Sequence, residues 1–463
     1  MAPDRLLQAA SLRLLVAVWL GSPRAAGSAA GAQRPVHDFQ PGGLNILFVI
    51  ADDLRPALGS YGDPLVRSPN IDQLASKSVV FQNAFVQVCK GKDGKLHANL
   101  ICPVDVAKMP EATLPDIQST GEAVRLLKTL TRIKRTFFLA IGYHKPHIPF
   151  RYPRKFLKLY PLENVTLAPD PAVPKGLPSV AYNPWMDLRR REDMAALNLS
   201  FPYGPIPEHF QRKIRQSYFA SISYVDTLVG KLLNALDEAK LSHNTMVVFT
   251  ADHGWSLGEH GEWAKYSNFD VATRVPLMFY VPGVTTPSSD PGQKVFPFID
   301  PFAQDLPSGL PELAGLTVPP ACPQPSFHIP LCSEGKSLVQ YFPSSNGGQK
   351  NHGCTQNKTP VAFSQYPRPG DIPALNSDLP LLQDIRVMGY SVRTADYRCT
   401  VWFGFNPNNF TIDVKDIHGG ELYFEKSDPN EDHNWYSEVP RGFPIPKLCN
   451  VTDYLKLEST SIR

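Results

Sequence analysis

The sequence predicts an α/β fold: a mostly parallel sheet flanked by helices, followed by a smaller C-terminal antiparallel α+β subdomain. Three observations predict it. Short apolar runs rich in β-branched and aromatic residues recur along the first 283 residues. Helical patterns lie between these runs, and shorter alternating runs begin beyond residue 360. Strands that alternate with helices indicate a sheet covered by helices on its faces.

Four apolar runs predict buried strands, taken as parallel. They span residues 44–51, 137–142, 246–251 and 276–281. Two segments show helical periodicity, residues 120–134 and 208–241, and the second has apolar side chains every three or four positions. In the C-terminal part, residues 387–393, 397–403 and 421–424 predict antiparallel strands, with a turn at 394–396.

Composition divides the chain into four parts. They are residues 1–30, a signal peptide; 40–283, the catalytic domain; 284–360, a loop-rich connection dense in Pro and Ser; and 361–463, the C-terminal subdomain. The formal net charge of +3 is small for 463 residues, so composition gives no support to a nucleic-acid partner. The sequence leaves the oligomeric state open.

The first residues have the pattern of a secretory signal. Arg5 and Arg13 precede an apolar core at 14–20, and small residues fill 25–30. The core is too short to span a bilayer, and no other segment approaches a membrane span. An amphipathic terminal tail is the alternative interpretation.

Glycosylation sequons and cysteines agree with the secretory route. The sequons begin at Asn164, Asn198, Asn357, Asn409 and Asn450. Of the seven cysteines, Cys89 and Cys102 bracket one loop and Cys322 and Cys332 bracket another, so each pair is a candidate disulfide. The remaining cysteines are Cys354, Cys399 and Cys449, and the odd total leaves at least one free thiol.

Acidic residues follow two of the predicted strands. Asp52 and Asp53 come directly after the first, and Asp252 and His253 follow the third. Because the carboxyl ends of parallel strands meet at one edge of a sheet, these side chains should converge. Three carboxylates with one imidazole favour a hard divalent cation, calcium or magnesium. The alternative is that Asp53 and Asp252 only cap the turns that follow them.

Cationic side chains are expected beside this cluster. His144, Lys145 and His147 follow the second strand, and Lys265 lies in a Gly-rich loop after the third. Such groups beside a metal would bind a tetrahedral anion, and a histidine could protonate the leaving oxygen. We favour this function for His144 and Lys265, and leave His147 and His260 open between function and a place in a solvated loop.

Several longer motifs resemble the sulfatase family. The general ones are residues 46–56, 68–75 and 250–261. The motifs at 143–150, 182–187 and 364–369 are similar to those of the lysosomal members that remove the 2-O-sulfate of iduronate from heparan sulfate and dermatan sulfate. The resemblance implies a fold like that of alkaline phosphatase, one Ca²⁺ ion, a sulfated glycosaminoglycan substrate and passage through the secretory pathway to the lysosome.

The resemblance also assigns roles to individual residues. Asp52, Asp53, Asp252 and His253 match the metal ligands of the family, and His144 and Lys265 match its sulfate-binding and proton-transfer residues.

The nucleophile is where the sequence departs from the family. Sulfatases use a cysteine in a Cys-x-Pro-x-Arg motif, converted to formylglycine, and no cysteine of this chain has that context. The family pattern places the motif shortly after Phe85, where this chain continues instead to Cys89-Lys-Gly-Lys, so an internal deletion near 86–89 is predicted. The chain is then either a sulfatase that needs the missing segment, or an inactive splice or gene-model variant that binds sulfated glycan weakly or misfolds. A phosphatase of the same superfold ranks behind both, since it needs a Thr or Ser nucleophile and more His ligands for zinc.

Overall fold

The computed structural model describes residues 16–20, 44–85, 99–133, 136–285 and 361–439, together with 295–296 and scattered residues between 311 and 342. The strands include β1 (Val16–Leu20), β2 (Asn45–Ala51), β3 (Val79–Phe85), β4 (Phe137–Tyr143), β5 (Thr245–Ala251), β6 (Ser256–Leu257), β7 (Trp263–Ala264), β8 (Arg274–Tyr280), β9 (Val295–Phe296), β10 (Ala362–Arg368), β11 (Val387–Arg393), β12 (Tyr397–Asn406) and β13 (Thr411–Phe424). The helices include α1 (Pro69–Ser76), α2 (Pro115–Leu130), α3 (Met186–Arg189), α4 (Glu192–Ala195), α5 (Glu208–Glu238) and α6 (Asp270–Thr273).

The main sheet has the strand order β1-β4-β2-β5-β8-β3-β9. Strands β4, β2 and β5 are parallel neighbours, and β3 and β9 run in the same direction, whereas β1 and β8 run the opposite way. The sheet is therefore mostly parallel, as predicted. Every residue of β5 is buried, because this strand has neighbours on both edges and side chains packed over both faces.

The direction of β8 differs from the prediction for residues 276–281. This strand is antiparallel to β5, with Thr250 paired to Leu277. A parallel return needs a long crossover, usually a helix, to carry the chain back to the other end of the sheet. Here the chain between β5 and β8 folds as the short β6–β7 hairpin and the single turn of α6, so it re-enters the sheet from the end it left.

Two helix boundaries also differ from those that the hydrophobic periodicity predicts. Helix α2 begins at Pro115, five residues before the first predicted position, since proline suits the first turn of a helix, where its missing N–H costs nothing. Helix α5 ends at Glu238 because Lys240 adopts a left-handed conformation, with φ at 54°, and the N–H of Leu241 bonds back to the carbonyl of Leu236.

The C-terminal subdomain is the four-stranded antiparallel sheet β10-β11-β12-β13. Within residues 361–439, the structure has no α-helix, and the remaining C-terminal residues lie outside the described part. Arg393 on β11 anchors this sheet to the main domain by donating to the Asp270 carboxylate over 2.8–3.0 Å.

Strand β1 lies within the predicted signal peptide. It pairs with β4 at the edge of the main sheet, while the rest of residues 1–30 lies outside the described part of the chain. Among the described helices, none is both long enough and apolar enough to cross a membrane.

Candidate metal and anion site at the strand tips

Two consecutive aspartates follow β2 at its carboxyl end. The N–H of Asp52 donates to the carbonyl of Tyr143 over 3.0 Å, which fastens the tip of β2 to that of β4. Asp53 turns into the left-handed region with φ at 63°, and its carbonyl accepts the Tyr218 hydroxyl at 2.5 Å. Consecutive strand side chains would point to opposite faces. The turn instead brings both carboxylates into one group with His253, their ligand atoms within 4.8 Å of one another.

The tip of β5 supplies the third carboxylate and an imidazole. Asp252 Oδ1 accepts the N–H of Asp53 at 3.1 Å and that of His253 at 2.8 Å. The His253 ring is buried, with Nδ1 3.3 Å from Asp53 Oδ1 and Nε2 3.3 Å from Asp252 Oδ2. Asp252 therefore does both things that the sequence allowed: it caps the local turn and faces the cluster.

Lys265 reaches the site from the β6–β7 hairpin. It follows β7 directly, and its buried Nζ donates to Asp53 Oδ1 over 2.9 Å. Gly254 makes the path of this loop possible: a Cβ there would lie 2.3 Å from the Val271 carbonyl oxygen, so only glycine fits. We call Asp52, Asp53, Asp252, His253 and Lys265 the strand-tip cluster.

The charges of the strand-tip cluster are not balanced within the protein. Burial and the neighbouring Asp53 and Asp252 charges raise the pKa of Asp52 well above its ordinary value. Burial also acts to raise the pKa of Asp53, but Lys265, His147 and His253 outweigh it, so that pKa is lowered. Asp53 Oδ2 is buried and has no hydrogen-bond partner among the described residues. A buried carboxylate oxygen without a partner is costly, and a cation placed there would relieve that cost.

The loop after β4 forms the other side of the site. Asp116, buried near the start of α2, accepts the backbone N–H of His144 at 2.7 Å and that of Lys145 at 3.2 Å. The ammonium group of Lys145 donates to the carbonyls of His147 and, over 2.9 Å, Pro149. These bonds hold the loop so that the His144 and His147 rings lie 5.0 Å apart, centroid to centroid.

This loop carries shifted pKa values. Lys145 and burial lower the pKa of His144 to about 2, so its imidazole is neutral near pH 7. Burial lowers the pKa of His147 and lowers that of Lys145 to about 8. A neutral His144 can accept a hydrogen bond or bind a metal. It can protonate a leaving group only after an anion bound beside it has raised its pKa.

The structure brings together all six residues singled out for metal binding and catalysis at or beside the strand tips. It places the two histidines whose role was left open in different surroundings. His147 lies in one group of potential ligands with Asp52 and His144. His260 lies elsewhere: its Nε2 is 2.7 Å from the Asn430 carbonyl, against the C-terminal subdomain. Asp116 was missed because nothing in the local pattern relates an aspartate in a helical turn to a loop 28 residues later.

One of the two predicted disulfides is present. Cys322 and Cys332 form a disulfide. Cys102 is a free thiol, so the predicted bond with Cys89, which lies outside the described residues, is not formed. The N–H of Cys102 is tied to the Phe150 carbonyl at 3.1 Å, and spacing along a chain does not bring two Cβ atoms into bonding distance. Cys399 is disulfide-bonded.

The described sequons lie at the surface. Asn164, Asn198 and Asn409 are exposed, whereas Asn357 and Asn450 lie outside the described residues.

Comparison with known proteins identifies the family of the chain. The family model described as Sulfatase matches residues 105–316. Iduronate 2-sulfatase of Mus musculus is 52% identical, in an alignment that covers 86% of this chain and 92% of the mouse protein. The chain belongs to the sulfatase family, whose members are sulfuric ester hydrolases. Iduronate 2-sulfatase of Homo sapiens is 49% identical, with 92% of this chain and 95% of the human protein covered.

Solved structures agree on the fold. The structure of a 2-O GAG sulfatase matches with a TM-score of 0.54 at 19% identity, covering 90% of this chain and 91% of that one. Identity this low supports the fold alone. The alkaline-phosphatase-like α/β fold with a C-terminal antiparallel subdomain is thereby confirmed.

Proposed function

We propose that this chain is directed at the 2-O-sulfate of iduronate in heparan sulfate and dermatan sulfate, and that it travels through the secretory pathway to the lysosome. The carrying observation is the likeness to mouse and human iduronate 2-sulfatase, 52% and 49% identical over most of the chain. The local geometry supports it, since the strand-tip cluster collects metal-binding and anion-binding groups at one edge of the sheet.

The residues present fit one calcium ion. Asp52, Asp53, Asp252 and His253 would hold it, because oxygen donors suit Ca²⁺ and the buried Asp53 Oδ2 has no hydrogen-bond partner among the described residues. The ion would supply positive charge to an anionic sulfate group. The chain itself adds the ammonium group of Lys265 beside Asp53 and, across the site, the imidazole of His144. A sulfate ester held between them raises the pKa of His144 and so lets this side chain hold the proton that the leaving oxygen needs.

The formylglycine of the family does not fit this chain, because no cysteine has the Cys-x-Pro-x-Arg context. The alignment lengths support a missing internal segment. The mouse alignment runs over 506 residues although 86% of this chain is about 398 residues, and the human one over 534 although 92% is about 426. Each alignment thus has roughly a hundred positions without a counterpart here. This observation favours a second candidate, an inactive variant that keeps the fold and binds sulfated glycan weakly.

Turnover and binding assays separate the two candidates. Purified full-length chain is incubated, with and without Ca²⁺, with heparan sulfate oligosaccharides and with the same oligosaccharides chemically stripped of 2-O-sulfate. We expect Ca²⁺-dependent binding that prefers the 2-O-sulfated form, with sulfate release at the level of a Lys265→Ala control. Sulfate release well above that control would refute the inactive variant. Equal binding of the two oligosaccharides would refute the proposed substrate.

Peptide mapping of the native protein tests whether the internal junction is real. Trypsin releases residues 78–90, Ser-Val-Val-Phe-Gln-Asn-Ala-Phe-Val-Gln-Val-Cys-Lys, only from a chain with this junction. Detecting this peptide would show that the mature protein contains the junction and lacks the nucleophile motif. Peptides that extend Phe85 into a Cys-x-Pro-x-Arg segment would instead make the protein an ordinary active sulfatase.

A further inference from the structure

A second group of potential ligands lies beside the strand-tip cluster and has a different chemistry. Asp52, His144 and His147 offer one ligand atom each, all within 4.8 Å of one another. The group of Asp52, Asp53 and His253 is dominated by oxygen, whereas this one has two imidazole nitrogens and a single carboxylate. Two histidines with one carboxylate suit Zn²⁺ and its transition-metal neighbours better than Ca²⁺.

Hydrogen bonds fix the tautomer of one imidazole and the backbone of the other. His147 Nδ1 is bonded to the carbonyl of Ile148, so that nitrogen carries the proton and Nε2 is left with its lone pair. The backbone of His144 is fixed by the buried carboxylate of Asp116.

The two groups share a carboxylate, and their net charge allows one dication. Asp52 belongs to both. Three carboxylates, Asp52, Asp53 and Asp252, face two ammonium groups, Lys145 and Lys265, whose pKa values respond to Asp52 and Asp53. One divalent ion changes the net charge of these five groups from −1 to +1, whereas two would raise it to +3 in a buried site.

We propose that Asp52, His144 and His147 form an alternative site for a transition-metal dication such as Zn²⁺, and that occupation of this site excludes calcium from the strand-tip cluster. An ion there engages the nitrogen of His144, so this side chain can no longer hold a proton. The site makes transition metals antagonists of calcium in this chain. It extends beyond the proposed function, because it requires neither turnover nor glycan.

Metal competition with the full-length chain tests the proposal. Co²⁺, which reports imidazole ligation in its visible spectrum, and Zn²⁺ are titrated calorimetrically into the metal-free protein, alone and with Ca²⁺ present. We expect Ca²⁺ to weaken Co²⁺ binding. The change His147→Ala should weaken Co²⁺ and Zn²⁺ binding by about tenfold or more and leave Ca²⁺ affinity within about twofold, since it removes one ligand of one site. His209→Ala, which removes an exposed imidazole on α5, is the matched control.

The outcomes are distinguishable from failure of the proposed function. Unchanged Zn²⁺ affinity in His147→Ala overturns the proposal, because the metal then occupies the oxygen-rich group. Independent binding of Zn²⁺ and Ca²⁺ overturns the exclusion. If His147→Ala unfolds at a lower temperature than the control, His147→Gln replaces it, because an amide keeps the bond to the Ile148 carbonyl. Calcium affinity is measured separately, so loss of the calcium site leaves the zinc result interpretable.

Discussion

Two buried clusters of charge differ in whether hydrogen bonds and ion pairs within the protein satisfy their carboxylates. In the first, which we call the Glu259 cluster, Glu259 Oε1 lies 2.8 Å from Arg55 and 3.6 Å from Arg215, and Oε2 accepts the N–H of Leu257 at 2.5 Å. Both oxygens are engaged. In the strand-tip cluster, Asp53 Oδ2 has no partner among the described residues, and Asp52 carries a raised pKa.

The difference separates an ion network that the protein completes from a group of potential metal ligands. Arg55 and Arg215 outweigh the burial of Glu259 and lower its pKa to about 2, so its charge is stabilised by the protein alone. Asp52 is destabilised as an anion by burial and by its neighbours. A cluster that the protein completes supports the fold, whereas one left with negative charge in excess is a candidate for cation binding.

The largest expected effect comes from breaking the Glu259 cluster. Glu259→Ala leaves two arginines without their counter-ion, with side chains 21% and 8% exposed. We expect the free energy of unfolding in urea to fall by about 3 kcal/mol, because a buried charge without its partner costs more than the pair contributed.

The control for Glu259→Ala is a pair of similar geometry at the surface. Arg125 and Glu122 lie 2.6 Å apart on α2 with side chains 63% and 32% exposed, so Glu122→Ala should leave the unfolding curve nearly unchanged. Equal effects of the two changes would mean that the Glu259 cluster is not structural.

Calcium should stabilise the protein through the strand-tip cluster. At a Ca²⁺ concentration about 100 times its Kd, the wild type should gain about 2.7 kcal/mol of unfolding free energy. Asp52→Asn should abolish most of this gain. In the absence of calcium the same change should cost nothing, because the pKa of Asp52 shows that its charge is disfavoured. Asp237→Asn, at an exposed position on α5, is the control that should keep the full calcium effect.

Acid should weaken the Glu259 cluster. The folded pKa of Glu259, about 2, lies below its ordinary value of 4.5, so the contribution is complete above pH 4.5 and is lost as the pH falls towards 2. Between about pH 5.5 and pH 3 the stability advantage of the wild type over Glu259→Gln should shrink by about 2 kcal/mol. Urea unfolding of both proteins at each pH measures this, and an advantage independent of pH would contradict the assigned charge state.

The strands of the main sheet and the residues that follow them could be predicted from the sequence, because both depend on local patterns. Continuous apolar runs predict buried strands wherever they occur, and β2, β4 and β5 appear within one residue of the predicted bounds. Sequence reasoning did not predict that β8 runs antiparallel to β5, because strand direction depends on how the residues between the two strands fold. Strand β3 was missed for a similar reason: no strand was predicted for Val79–Phe85, whose pairing with β8 is long-range.

The site was predictable where a residue follows a strand and unpredictable where a side chain arrives from elsewhere. Asp52 and Asp252 are placed by strand ends alone. Asp116 reaches its loop from a helix 28 residues earlier, and the Glu259 cluster joins residues up to 204 positions apart. Such contacts are set by packing of whole elements, which spacing along the chain does not encode.

The smallest expected effect comes from Asp116, a buried carboxylate whose two oxygens are both engaged. Asp116→Ala leaves the N–H groups of His144 and Lys145 without acceptors and should cost about 1–2 kcal/mol of unfolding free energy. Asp193 is a matched control, because its carboxylate accepts two consecutive N–H groups in the same way, from Leu100 at 2.7 Å and Ile101 at 3.0 Å. We expect Asp116→Ala and Asp193→Ala to destabilise the protein alike, and only Asp116→Ala to weaken Co²⁺ binding, since only Asp116 fixes the loop of His144 and His147. Equal Co²⁺ affinity in the two variants would show that this loop needs no such anchor.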